Sequence, residues 1–118
     1  MRIFGRGYKM TLNRVQDTLT IREGSETLPL KVSGDAMHMV SGLSKAQKRL
    51  LELKDDTPDE EVKECAKYFA SVIFGTEQAE KLMKFYNDDP GCVISVCGQY
   101  FKERLAGKIA KVQKKVKT

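Results

Sequence analysis

The apolar positions of this chain change period once. Between 18 and 32 they alternate with polar ones: Leu19 and Ile21, then Leu28, Leu30 and Val32. Strict alternation with β-branched residues predicts strands over 18–22 and 27–32, joined by a turn at Glu23-Gly24-Ser25-Glu26. The product is a short β-hairpin. Pro29 cannot donate a ladder hydrogen bond, so its strand must be an edge. A hairpin alone is marginal in water. It must therefore pack on helices or have its edge completed by another copy of the chain.

From Asp35 onward the apolar spacing is three to four, the period of a helix. The first helix is predicted over 36–53, capped by Ser33-Gly34-Asp35, with Ala36, Val40, Leu43, Ala46 and Leu50 on one face. The second, over 58–74, buries Val62, Cys65, Phe69, Val72 and Ile73. Its start, Thr57-Pro58-Asp59-Glu60, reads as a capping box with proline in the first turn, and Gly75 ends it. The third spans 77–86, with Ala79, Leu82, Met83 and Tyr86 on one face. The fourth opens on Asp88-Asp89-Pro90 and runs over 90–116, burying Ile94, Cys97, Phe101, Leu105, Ile109, Val112 and Val116. Gly98 and Gly107 inside it each weaken it by about 1 kcal/mol relative to alanine. Gly98 suits a close helix approach and Gly107 a bend. The predicted fold is α+β, mostly α: a short N-terminal hairpin followed by about four helices. Residues 1–17 read as a basic N-terminal arm, since Gly5 and Gly7 break any helix, and residues 18–118 as a single domain.

Charge divides the chain into three. Residues 1–14 carry four bases and no acid, 15–101 ten bases and fifteen acids, and 102–118 seven bases and one acid, within a net charge of +5. An acidic body lies between two basic ends. Such ends can meet nucleic acid or an acidic partner, or pair with the body itself. The strongest pattern is the stripe Arg104, Lys108, Lys111 and Lys115 beside the apolar face of the last helix. No helix-turn-helix, aromatic RNA-binding or zinc-finger signature accompanies it.

The chain is poor in candidate chemistry. His38 is the only histidine, and no nucleophile stands at a spacing that would use it as a base. Cys65, Cys92 and Cys97 are odd in number and form no C-x-x-C pair, so buried thiols are expected in place of a disulfide framework or a zinc site. The acidic run 55–61 lacks the alternating ligands and glycine of a calcium loop. No catalytic residue, metal site or cofactor is expected. No segment approaches the roughly 18 apolar residues of a membrane span. A soluble cytoplasmic protein without a membrane partner is the expectation.

The order of elements resembles the small tail assembly chaperones of siphophages and prophages of Gram-positive bacteria. The resemblance rests on Leu19-Thr20-Ile21 with Leu28-Pro29-Leu30-Lys31-Val32, on Asp35-Ala36-Met37, and on the acid-rich break Asp55-Asp56-Thr57-Pro58-Asp59-Glu60-Glu61. It continues through Phe74-Gly75-Thr76-Glu77-Gln78-Ala79-Glu80-Lys81-Leu82 and Phe85-Tyr86-Asn87-Asp88-Asp89-Pro90. It covers about residues 18–110 and is one of layout and short strings. The basic segments 1–16 and 102–118 depart from the more acidic relatives.

The resemblance implies a non-enzymatic protein of the host bacterial cytoplasm. It would bind the tape measure protein and tail tube subunits, holding apolar helices by reversible helix-in-groove capture. The apolar candidates for that contact are Met37, Met39, Leu82, Met83, Phe85 and Tyr86. Homo-oligomerisation through the hairpin edge is a further expectation. The alternative function is a small nucleic-acid-binding protein that uses residues 1–14 and 102–118, with Arg104, Lys108, Lys111 and Lys115 as its electrostatic contacts.

Overall fold

Two antiparallel strands, β1 (Arg14–Glu23) and β2 (Glu26–Asp35), open the computed structural model, which describes the backbone of residues 14–117 and the side chains of 14–113. Leu19 pairs with Leu30 and Arg14 with Asp35. Glu23 and Glu26 flank a two-residue turn in which Gly24 takes φ +63°, a conformation glycine adopts without strain. Both strands are longer than the predicted 18–22 and 27–32. Alternation carries on inward through Asp17 to Val15, which is buried against the core. A carboxylate on an apolar face reads as a stop, and only its tertiary partners, described below, let the strand run through it. Of the expected arm, residues 1–13 lie outside the described residues. Residues 14–17 are part of β1, because Val15 and Asp17 are held on the helices.

Four helices follow: α1 (Ala36–Leu51), α2 (Asp59–Phe74), α3 (Thr76–Phe85) and a long last helix. The last is built from α4 (Pro90–Tyr100), a π turn (Phe101–Leu105) and α5 (Ala106–Lys117). The fold is thus α+β and mostly α. The core lies between the inner face of the hairpin and the helices. Val15, Leu30 and Val32 meet Phe69, Ile73, Leu82, Val93, Cys97 and Leu105 there.

Helix starts follow local chemistry in two of three capped cases. Asp35 accepts from the His38 backbone N–H at 3.0 Å, and Asp89 from Gly91 N–H at 3.0 Å with Pro90 behind it. The Thr57 capping box does not form. The Thr57 hydroxyl accepts from Lys54 N–H at 2.8 Å, closing the preceding turn, and Pro58 caps α2 through its carbonyl alone. Gly75 ends α2 and begins α3 at φ +88°, ψ 157°, backbone space that only glycine occupies readily. Asn87 and Asp88 both take positive φ, and Asp88 N–H returns to the Met83 carbonyl at 2.8 Å. Short polar side chains tolerate that conformation best.

The π turn explains the burial pattern of the last helix. The fully buried positions are Val93, Cys97 and Tyr100, then Leu105 and Ile109. Regular helical spacing from Tyr100 would bring Arg104 and Lys108 onto the core face. One extra residue in the π turn shifts the phase, so that Leu105 and Ile109 face inward instead. Ile94, Phe101 and Val112 are only partly buried. The irregularity precedes Gly107, where a bend was expected.

Close backbone approach occurs at Gly42, in the first helix. A Cβ there would stand 2.8 Å from Val72 Cγ1 across the α1–α2 contact. Gly98, the glycine expected to allow such an approach, has no described atom from outside its own stretch of helix within 4 Å of where its Cβ would lie.

Candidate functional site

Asp17 gathers the basic stripe onto the hairpin. Its side chain points at the helices, at 8% exposure. One carboxylate oxygen accepts from the Tyr100 hydroxyl at 2.8 Å; the other accepts from Arg104 at 2.6 Å and from its neighbour's N–H, Thr18, at 2.9 Å. Lys108 Nζ lies 3.9 Å away. Burial is the largest single influence on the carboxyl and pushes its pKa up. The hydrogen bonds from Tyr100 and Thr18, with the charges of Arg104 and Lys108, together outweigh it and hold the group below its ordinary 3.8. Burial and the bond to Asp17 raise the Tyr100 hydroxyl well above the usual tyrosine range.

The stripe is therefore divided. Arg104 and Lys108 face Asp17, Lys111 is exposed, and the Lys115 side chain lies outside the described residues. The Asp17–Tyr100 contact escaped sequence reasoning. Its one legible signal was an acid at an inward position of the alternation Val15, Asp17, Leu19, Ile21.

The same contact closes one sheet edge. The Thr18 N–H goes to Asp17 and its carbonyl accepts from Arg104 at 3.3 Å. Across the pair, Lys31 donates to Gln78 at 2.8 Å and accepts from it at 2.7 Å. Thr18 and Lys31 are register partners, so both edges are occupied at one rung. Since Lys31 aims its backbone groups away from β1, alternation aims Pro29 the same way, and its missing N–H costs no ladder bond. A second copy would find strand-pairing groups only away from this rung.

The six apolar candidates fall in three environments. Leu82, Met83 and Met39 are buried in the core. Phe85 and Tyr86 are half-buried and stack edge to face, with ring centroids 5.1 Å apart. Met37 is 65% exposed. The structure thus separates residues that the sequence grouped, and Met37 alone among them offers a large free apolar surface.

The apolar surface continues elsewhere on α1. Among the described residues the exposed large hydrophobics are Met37, Val40 and Leu51, all on this helix. Val40 lines an open groove of about 520 Å³ between α1 and the last helix. Leu43, Leu50, Phe69, Phe101 and Ile109 form its apolar walls. Gly98, Ala106 and Ala110 leave it unfilled among the described residues, because the last helix turns its small residues toward α1. That row of small residues was the available sequence signal. Lys102 lies at the groove, and among the described residues no carboxylate lines it.

Conventional chemistry is sparse by comparison. Cys65 and Cys97 are buried, and burial pushes the Cys97 thiol up to about 12. Cys92 Sγ donates to Asp89 at 3.4 Å, and that bond, with some burial, raises its pKa. His38 is exposed and holds its cap through its backbone. Among the described residues no group of three or more His, Cys, Asp or Glu is placed to hold a metal ion, and no helix is long and apolar enough to cross a membrane.

Fold and surface together define a small α+β helical domain with an apolar groove beside basic helices. The chain matches no protein-family model, no curated protein and no solved structure.

Proposed function

We propose that this protein acts by binding, as a non-enzymatic assembly factor of the tail assembly chaperone type, with tape measure and tail tube subunits as its partners. The observation that carries the reading is the unfilled apolar groove between α1 and the last helix, bordered by the exposed Val40. A groove of this kind suits transient capture of an apolar helix face. The resemblance over about residues 18–110 supplies the class of partner. Catalysis is not part of the proposal, since the polar cluster at Asp17 ties β1 to the last helix and has its acceptors occupied.

Co-expression with the tape measure and tail tube proteins of a Gram-positive siphophage tests the reading. A salt-stable complex that keeps the tape measure protein in the soluble fraction is expected. Tape measure protein that stays insoluble, with no tail subunit co-purifying, would remove the assignment. The second reading, nucleic-acid binding, is favoured by α5, whose twelve residues include five lysines and no acid. It requires bound nucleic acid that salt strips away.

A further inference from the structure

Three observations on α1 and α5 converge on the shape and charge of what occupies the groove. The first is a stripe. Met37, Val40, Ser44, Gln47 and Leu51 follow one another at three- and four-residue steps along one side of α1. Its three large members are the exposed hydrophobics noted above. From Met37 to Leu51 the stripe runs about 21 Å at 1.5 Å per residue, the length of about four helical turns.

The second is concavity. The groove lies alongside the middle of this stripe, floored by small residues of the last helix. A trough of that form fits a rod and leaves a flat surface out of contact. The third is charge. The sixteen residues of α1 include Lys45, Lys48 and Arg49 and no acid, and α5 has none either. Lys102 lines the groove. Arg49 is engaged over the Tyr68 ring at 5.0 Å, and Arg104 and Lys108 face Asp17. Lys45 lies on the α2 side of α1 with Tyr68, Ser71 and Val72, and Lys111 follows Lys108 on the Asp17 side of the last helix, which leaves Lys102 at the groove and Lys48, next to the groove residue Gln47, as bases for a partner. The one acid between Pro90 and Lys117, Glu103, accepts from Gln99 at 3.0 Å.

From these we infer that the groove seats one amphipathic helix of about four turns, apolar on the face it buries and acidic along its flanks. Apolar contact supplies the binding and the flanking carboxylates meet Lys102 and Lys48, which fixes orientation and speeds encounter. This deepens the proposed function and rests on its binding groove, though not on the tail assignment.

The test uses the full chain and two synthetic peptides of about 18 residues. Both carry the same leucine face at i, i+3, i+4, i+7 spacing. One has glutamate and the other lysine at the flanks. Titration calorimetry near physiological salt should show the glutamate peptide binding at least about ten-fold more tightly than the lysine peptide. Ala110→Glu, at an exposed groove position, should weaken that binding by about ten-fold or more, since it puts an unpaired carboxylate against the peptide's apolar face. Lys102→Glu, at an exposed position, should weaken it as well, with circular dichroism and melting midpoint unchanged in both variants.

Failure of the glutamate peptide to bind, equal binding of the two peptides, or binding indifferent to both substitutions would overturn the inference. So would a DNA duplex that displaces the glutamate peptide and is itself released by salt, which assigns the face to nucleic acid. Peptide binding without tail-protein co-purification keeps the groove and removes the tail assignment. Co-purification without peptide binding does the reverse.

Discussion

Replacing Asp17 with asparagine keeps the shape of the side chain and removes its charge. The carboxylate lies on the inner face of β1, accepts from Tyr100 at 2.8 Å and Arg104 at 2.6 Å, and is nearly enclosed. A hydrogen bond to a charged group contributes about 1.5–3 kcal/mol. The Tyr100 bond lies in the protected part of the site and counts nearly in full. Arg104 is 47% exposed, so water screens its share and little is added. Asparagine retains an acceptor for the Tyr100 hydroxyl and avoids desolvating a carboxylate, which returns part of the loss. The expected destabilisation at neutral pH is about 1–2 kcal/mol for Asp17→Asn. Asp17→Ala, which strands the buried Tyr100 hydroxyl, should cost about 2–4 kcal/mol.

The pH dependence has a definite sign. Asp17 is held below its ordinary 3.8, so the folded state binds its proton less readily than the unfolded chain. Its stabilisation is fully present above that ordinary value and is lost as pH falls through the folded pKa. Urea denaturation of the parent and Asp17→Asn should therefore show a constant gap from about pH 7 to about pH 5 and a shrinking one below about pH 4. A gap that persists unchanged at about pH 2.5, or an asparagine variant more stable than its parent at neutral pH, would refute the account of this site.

Other substitutions probe other elements. Gly42→Ala should destabilise by about 1 kcal/mol or more, although alanine favours a helix, because its Cβ would stand 2.8 Å from Val72 Cγ1. Adding Val72→Ala should show a favourable coupling in a double-mutant cycle, and its absence would place the strain elsewhere. Gly98→Ala should stabilise by about 1 kcal/mol in chemical denaturation, since no described atom from outside its own stretch of helix lies within 4 Å of the new methyl; a loss would contradict the open groove. Leu82→Ala should cost about 3–5 kcal/mol and Met37→Ala less than about 0.5, and comparable effects on melting would mean their burial is misassigned.

Much of the fold was legible because local signals agreed with it. The Asp35 and Asp89 caps, the Gly24 turn, the break at Gly75 and the helical spacing on α2 each rest on residues adjacent in the chain. The Thr57 capping box was misread because its hydroxyl had two nearby backbone targets, and the turn at Lys54 took it. The candidate surface was legible only in part. Leu82, Met83 and Met37 are all large apolar residues on helices, yet the first two meet the core and the third meets water. Periodicity marks an apolar face and does not say whether a neighbour covers it.

By itself the sequence determined the hairpin-then-helices order, the sites where most helices begin and end, and the uneven distribution of charge. These depend on propensity, capping and spacing within a few residues. Tertiary structure decided what depends on residues far apart in the chain. Asp17 became an interior acceptor because Tyr100 and Arg104, more than eighty residues away, arrive to meet it. The π turn chose Leu105 over Arg104 for the core. The small residues of the last helix, facing α1 across a gap that no described side chain fills, made a groove that neither helix encodes alone.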